Sequence, residues 1–183
     1  VFQFINSKAE LKHESFLYSI LSADNHLHEL QNIIQWITSL KFKYELDIQK
    51  IPIQNIRNWI NDGNSIFNEK KKYFTVVGVD VQIGNREVVT WNQPMVKPAQ
   101  DGLMGFLVKK IDGIFHFLVQ AKLEAGNFDI IELAPTVQCL TGNYRNGLNE
   151  YTIPYLKYFL EPNPENIWYS TYQSEEGGRF YQE

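Results

Sequence analysis

The stretch GFLVKKIDGIFHFLVQAKLEAGN, at residues 105–127, decides the fold class of this chain. Two runs rich in β-branched and aromatic residues flank Asp112–Gly113, a pair that favours the two-residue turn of a β-hairpin. We therefore predict antiparallel strands over residues 103–111 and 114–123. The centre of the chain is expected to be a β-sheet.

Strand-like segments also precede this hairpin. Residues 73–82 are rich in Val, Phe and Thr and are predicted to form a strand. Gly84–Asn85 then predicts a two-residue turn, followed by a returning strand over residues 86–91. A loop that contains Pro94 and Pro98 is expected after this strand.

A further extended segment follows the hairpin. Residues 128–140 are expected to be extended, and Pro135 suggests that they lie at a sheet edge or contain a bulge. Together with the other segments, they predict an antiparallel sheet of at least five strands.

The first third of the chain is predicted to be helical. Apolar residues recur there every three or four positions, which places them on one helix face, and Asp24 is positioned to cap that helix. The residues of this face are Leu27, Leu30, Ile34, Ile37 and Leu40. A second short helix is expected from Pro52 to a stop at Asn61–Asp62–Gly63. The fold class is therefore α+β, with a helical arm over residues 1–62 and a β-rich module over residues 63–183.

Composition limits the classes of protein to consider. The 183 residues are 44% apolar and 21% charged, which is typical of a globular chain. The net charge of −4 argues against nucleic-acid binding, and the sequence has no apolar run long enough to span a membrane. Cys139 is the only cysteine, which fits a reducing compartment. We expect a cytoplasmic protein with neither a nucleic-acid nor a membrane partner.

Polar residues alternate along the predicted strands in a way that suggests a site. His116, Gln120 and Lys122 share one face of the strand over 114–123, opposite a largely apolar face. Glu132 and Gln138 share a face of the next extended segment in the same way. If the two strands are neighbours, these side chains could line one cleft that holds an acid, a base and several hydrogen-bond donors.

Other candidates lie in loops. Asn143, Tyr144 and Arg145 follow the last predicted strand, and loops on rigid scaffolds often carry binding groups. Arg145 and Arg179 could hold a diphosphate because a guanidinium group binds phosphate in a bidentate way. Trp91 could stack on a base or a sugar.

Each candidate also has a structural interpretation that the sequence leaves open. The polar strand face could simply be solvated, and His116 could be a structural histidine. Trp91 could be a core residue, and either arginine could be an ordinary surface charge. Phosphate-loop, HExxH and CxxC motifs are missing, and the four histidines lack zinc-ligand spacing, so no metal is expected.

Several short motifs occur in a recognisable order. REVVTWNQP at 86–94 precedes the central stretch, and ELAPTVQ at 132–138, NY at 143–144 and QSEEGGRF at 173–180 follow it. This series resembles the NDP-hexose 2,3-dehydratase family of deoxysugar biosynthesis. The likeness runs from about residue 30 to residue 183.

The resemblance implies a fold, a substrate and a reaction. Members of this family act on an NDP-4-keto-6-deoxyhexose, usually linked to thymidine diphosphate, and contain two similar modules with a Nudix-like β-rich fold. This chain would then be one module, a fragment of a longer protein. It lacks the metal-binding helix motif of Nudix hydrolases, which fits a family that does not hydrolyse diphosphates. Neither a metal nor a redox cofactor is expected.

The reaction also suggests roles for the candidate residues. His116 or Glu132 would be the base that removes the C3 proton, Tyr144 the acid that assists departure of the C2 hydroxyl, and Lys122 an electrostatic donor. The remaining candidates would hold the dTDP-linked sugar: Trp91, Gln120, Gln138, Asn143, Arg145 and Arg179.

The sequence leaves two further points open. Duplicated modules need not both be active, so the chain could be a non-catalytic module that only binds the sugar nucleotide. A plain interaction domain is a third alternative. We also expect a homodimer, in which a second copy replaces the missing module.

Overall fold

A computed structural model of the chain describes residues 15–22, 26–140 and 153–181. The chain divides into two compact units. The first comprises Val1–Ile48 and Met104–Gln138, and the second comprises Gln49–Leu103 and Cys139–Glu183. Antiparallel strands predominate in the described residues and a few helices accompany them, so the predicted α+β class is confirmed.

The regular elements in chain order are helix α1 (Leu30–Lys43), strands β1 (Trp59–Asn61), β2 (Ser65–Asn68), β3 (Phe74–Gln82), β4 (Thr90–Pro98), β5 (Gly102–Gly105), β6 (Leu107–Ile111), β7 (Ile114–Leu123), β8 (Ile131–Pro135) and β9 (Val137–Leu140), and helix α2 (Lys157–Leu160). Residues 15–21 are also helical. Single 3-10 turns occur at Ile53–Asn55 and Pro164–Asn166. None of the described helices could cross a bilayer, since none is both long and apolar enough.

The second unit contains a four-stranded antiparallel sheet in the order β1-β2-β3-β4. The predicted helix from Pro52 to Gly63 is wrong. Asn58 has a φ of 63°, which interrupts any helix, and Ile60 pairs with Phe67 in the β1–β2 hairpin. Only one 3-10 turn remains near Pro52.

The Asn61–Asp62–Gly63 signal is the turn of that hairpin and not the end of a helix. Gly63 has a φ of 85°, and the Asp62 carboxylate accepts hydrogen bonds from the backbone N–H groups of Asn64 and Ser65 at 2.9 and 2.7 Å. These two bonds hold the pKa of the Asp62 carboxyl below its usual value. The predicted helix stop at these residues is therefore wrong, because they join two strands.

The strand predicted over 73–82 is confirmed as β3, but its partner is displaced along the chain. The return strand β4 spans Thr90–Pro98 instead of 86–91, and residues 83–89 form a loop closed by a hydrogen bond from Ile83 N to Val89 O. The predicted loop through Pro94 and Pro98 is therefore wrong. Because β4 is the last strand in the sheet order, Pro94 can occupy it without loss of a ladder hydrogen bond.

The first unit contains a three-stranded antiparallel sheet in the order β6-β7-β8. Asp112 and Gly113 have φ values of 49° and 85°, so the predicted two-residue hairpin between β6 and β7 is confirmed. Strand β8 lies at the edge of this sheet, as Pro135 suggested.

Two predicted strands are each interrupted by one residue. The strand over 103–111 breaks at Phe106 into β5 and β6, and the segment 128–140 contains β8 and β9 on either side of Thr136. The buried hydroxyl of Thr136 accepts from Leu107 N at 2.9 Å and donates to Leu118 O. Leu107 and Leu118 are partners in the β6–β7 register, so this hydroxyl bridges the open end of the hairpin.

Helical elements cover part of the first unit. The predicted helix with its apolar face is confirmed as α1, although it begins at Leu30, and Asp24 lies outside the described residues. In the segment 15–21, the ring of Phe16 packs edge-on against Phe117 at 6.2 Å, and the hydroxyl of Ser19 accepts from Phe115 N at 3.1 Å. Residues 15–21 thereby cover the part of β7 that does not pair with β8.

Helix α1 is joined to the β7–β8 loop by an ion pair between Lys41 and Asp129. The hydrogen bond from the Lys41 ammonium group is the main reason that the pKa of the Asp129 carboxyl lies below its usual value. Because the folded-state pKa is lowered, this pair stabilises the fold above the unfolded-state pKa. The stabilisation is lost as the pH falls through the folded-state pKa.

Replacement of Lys41 by methionine is expected to raise the pKa of Asp129 toward 3.8, the ordinary value for an aspartate. Side-chain carboxyl chemical shifts followed by NMR from pH 6 to pH 2, about the range over which a carboxylate titrates, would measure this change. Lys43→Met is the matched control, because Lys43 is in the same helical turn and its ammonium lies over the Tyr44 ring at 5.3 Å. An unchanged Asp129 titration in Lys41→Met would contradict the pairing.

Candidate functional site

His116 lies on β7 with a half-buried ring. Its Nδ1 is 3.1 Å from the carbonyl oxygen of Ile114. A carbonyl can only accept, so Nδ1 carries the proton and, in the neutral ring, Nε2 has the free lone pair. In this tautomer, Nε2 is the ring nitrogen that can accept a proton.

Lys122 and Glu132 are cross-strand partners in the β7–β8 register. Their strands are neighbours, which was the condition for a shared cleft. Their side chains, however, have other partners: the Lys122 ammonium pairs with Glu124 Oε1 at 2.5 Å, and Glu132 Oε1 accepts from Asp129 N at 3.3 Å. The lysine is thus paired with the residue that directly follows β7.

The two glutamine candidates of this unit have different environments. Gln120 is half-buried and donates through Nε2 to the carbonyl oxygen of Pro135 at 2.9 Å, which ties β7 to the end of β8. Gln138 is exposed on β9. Gln120 therefore makes a hydrogen bond that supports the sheet, whatever else it binds.

Strand geometry separates the two ends of the polar face on β7. At about 3.3 Å per residue, the segment from His116 to Lys122 spans about 20 Å. His116 pairs with Lys109 of β6 at one end, and Lys122 pairs with Glu132 of β8 at the other. The sheet brings Lys122 and Glu132 together but leaves His116 at a distance from both.

The loop candidates Asn143, Tyr144 and Arg145 lie outside the described residues. Within the described residues, no three His, Cys, Asp or Glu side chains lie close enough to share a metal ion. The roles of the loop residues remain predictions.

Trp91 and Arg179 both lie in the second unit. Trp91 is half-buried on β4, and its indole Nε1 donates to Gln93 Oε1 at 2.6 Å. Arg179 is exposed and its guanidinium pairs with Glu176 Oε2 at 3.3 Å. The Arg179 side chain is therefore open to solvent, whereas that of Trp91 is only partly so.

The C-terminal segment runs beside the outer edge of β4. Val96 N donates to the carbonyl oxygen of Arg179 and Tyr181 N donates to that of Val96, both at 2.8 Å, which forms a parallel bridge between Val96 and Phe180. A further bond joins Gln93 Nε2 to the carbonyl oxygen of Gly178 at 2.7 Å. The motifs TWNQP and QSEEGGRF are therefore neighbours in the folded unit.

Gln93 was not singled out as a site residue in the sequence. Its position directly before the proline of TWNQP was visible, but its contact with Gly178, 85 residues away, was not. A shallow depression lined by Gly78, Val79, Asp80, Asn92, Gln93 and Pro94 lies on this part of the sheet.

Comparison with known proteins agrees with the order of motifs. The sequence profile of the NDP-hexose 2,3-dehydratase family matches residues 30–183. The chain belongs to the NDP-hexose 2,3-dehydratase family. The resemblance seen in the motifs, and the extent predicted for it, are thereby confirmed.

Three bacterial proteins that are similar to this chain have one enzyme name in common. A dTDP-4-dehydro-6-deoxy-alpha-D-glucopyranose 2,3-dehydratase of Streptomyces violaceoruber is 40% identical over 162 residues, which are 87% of this chain and 36% of that protein. The enzymes of the same name from Saccharopolyspora spinosa and Amycolatopsis orientalis are 39% and 38% identical over 84% and 81% of this chain. The chain spans about a third of the length of these relatives.

Proposed function

We propose that this chain is one module of a hydro-lyase that removes water across C2 and C3 of dTDP-4-keto-6-deoxyglucose. The observation that carries the proposal is the family match over residues 30–183, together with three relatives named as 2,3-dehydratases of this sugar nucleotide. The contact between the TWNQP and QSEEGGRF motifs supports it, because two segments far apart in sequence meet at one surface.

The proposed chemistry uses only acid–base groups of the protein. A base takes the C3 proton, which the C4 ketone acidifies, and the resulting enolate is stabilised by a donor near the C4 oxygen. The C2 hydroxyl then leaves as water with a proton from an acid. The enol that remains tautomerises to a 3,4-diketo-2,6-dideoxy sugar.

Residue roles follow the expectations from the sequence. His116 is the preferred base, because its Nδ1–H is held by Ile114 and its Nε2 can accept a proton. Glu132 is the alternative base, Lys122 the electrostatic donor and Tyr144 the acid. Nucleotide binding is the role proposed for Trp91 and Arg179 in the second unit. The other residues for which a binding role is proposed are Gln120, Gln138, Asn143 and Arg145.

Several broader features belong to the same proposal. The family likeness favours a Nudix-like module over residues 63–183 with a helical arm over 1–62, and we also propose a cytoplasmic location and a homodimer. The exposed apolar side chains of helix α1 are consistent with such an association, since Leu30 is 71% exposed and Phe42 is 89% exposed.

One observation favours a second candidate, a module that binds the sugar nucleotide without catalysis. His116 and Lys122 lie about 20 Å apart on one strand, farther than two groups that act on adjacent sugar carbons in a single site. The Lys122 charge is also compensated by Glu124. Binding through Trp91 and Arg179 would require neither residue.

Incubation of the chain with dTDP-4-keto-6-deoxyglucose separates these candidates. Catalysis predicts loss of the substrate and appearance of the dehydrated sugar or its breakdown product maltol. Binding of dTDP without turnover would favour the non-catalytic module. If dTDP did not bind at all, both candidates would be rejected and an interaction domain would remain.

A further inference from the structure

We infer that Gln93 is a positioning residue that joins Trp91 to the turn before Arg179 and so holds the arginine ready for a diphosphate. The inference rests on the proposed nucleotide-binding roles of Trp91 and Arg179. It adds a residue that contacts neither the base nor the phosphate and acts through the turn that carries Arg179.

The Gln93 amide is hydrogen-bonded at both ends, on one side to a group that can only donate and on the other to a group that can only accept. The indole N–H of Trp91 can only donate and meets Oε1 at 2.6 Å, while the carbonyl of Gly178 can only accept and meets Nε2 at 2.7 Å. The orientation of the amide is therefore determined by its partners. The Gln93 amide thus links the Trp91 indole directly to the Gly178 peptide.

Gln93 holds the turn at residues 176–179, which has few other hydrogen bonds to the rest of the described chain before Arg179. Arg179 N and Phe180 N both donate to the carbonyl oxygen of Glu176 at 2.9 Å, which closes the turn. Backbone bonds to Val96 fix the chain from Arg179 onward. Gly177 and Gly178 have no Cβ, and open space lies where one would be, so no side-chain packing restrains their backbone.

The consequence concerns the arginine rather than the fold. The Arg179 side chain is 67% exposed and its ion-pair partner Glu176 is 61% exposed, so its direction depends on the turn that carries it. An anchored turn lowers the ordering cost of binding, which is the usual gain from preorganisation. Loss of Gln93 should therefore weaken binding while the β4 sheet persists.

Two substitutions of Gln93 test this role in the full chain. Gln93→Leu removes both hydrogen bonds, whereas Gln93→Glu keeps an acceptor for Trp91 and places a carboxylate oxygen against the Gly178 carbonyl. Gln82→Leu is the matched control, because Gln82 is an exposed glutamine at the end of the neighbouring strand β3.

The first measurement is amide hydrogen exchange in the free protein. Both Gln93 variants should exchange the Arg179 and Phe180 amides about tenfold faster than the parent, since one anchoring bond is lost, and Gln82→Leu should not. This readout requires no ligand. Unchanged exchange in both Gln93 variants would overturn the inference even if dTDP binding were demonstrated.

The second measurement is the Kd for dTDP by calorimetry, in a double-mutant cycle with Arg179→Ala. Both Gln93 variants should bind about tenfold more weakly, and Gln93→Leu combined with Arg179→Ala should bind no more weakly than Arg179→Ala alone. Fully additive losses would overturn the positioning role. If the parent bound no dTDP, the proposed function would fail, and the exchange data would separately decide whether Gln93 anchors the turn.

Discussion

Replacement of Thr136 by valine is expected to lower the free energy of unfolding by about 1–3 kcal/mol, although the two side chains have nearly the same shape. The hydroxyl is 5% exposed and bridges Leu107 N and Leu118 O at the end of the β6–β7 hairpin. Valine has no hydroxyl, so both hydrogen bonds would be lost. The N–H of Leu107 and the carbonyl of Leu118 would then have to pair across the space that the threonine oxygen occupies.

Urea unfolding of the two variants Thr136→Val and Thr136→Ser measures this effect. Serine keeps the hydroxyl and loses one methyl group, so it should cost only about 0.8 kcal/mol. Were serine as destabilising as valine, packing of the methyl group and not the bridge would account for the loss. A valine variant as stable as the parent would show that Leu107 and Leu118 pair equally well without it.

Replacement of His116 by alanine is expected to reduce kcat for dehydration at least about a hundredfold, the lower end of what a general base contributes. The Kd for dTDP should be nearly unchanged, because the role proposed for His116 is in proton transfer and not in nucleotide binding. Steady-state kinetics and calorimetry on the same preparations would supply the two values.

A second variant separates the chemistry of His116 from its structural contact. Asparagine can reproduce the Nδ1–H bond to Ile114 but has no group that corresponds to Nε2, so His116→Asn should be as inactive as alanine and more stable. Lys109→Ala, at the paired position on β6, is the control for a general disturbance of this face. An active asparagine variant would transfer the role of base to Glu132.

Local signals in the sequence were sufficient for part of the fold. Asp112–Gly113 predicted its hairpin because the two positive φ values of that turn suit this pair. The spacing of Leu30, Ile34 and Ile37 predicted α1 for an equally local reason. The family likeness carried by the motif order was confirmed by the profile match.

The errors arose where pairing between distant segments overrode local signals. Ile60 follows helical spacing after Pro52 but is drawn into the β1–β2 hairpin, and Pro94 looks like a loop residue but occupies an edge position. The contact of Gln93 with Gly178 could not be predicted for the same reason, because no local pattern marks a partner 85 residues away. The roles of His116, Lys122 and Glu132 remain predictions.

The parallel bridge between Val96 and Phe180 has a consequence for the behaviour of the chain in concentrated solution. Strand β4 is last in its sheet, and an uncovered last strand is a template on which other polypeptides can add by backbone pairing. By occupying that template at Val96, the segment that carries Arg179 also shields the sheet from unwanted aggregation. A single stretch near residue 180 thus covers the outer edge of β4 at Val96 and also carries Arg179, for which we propose a role in diphosphate binding.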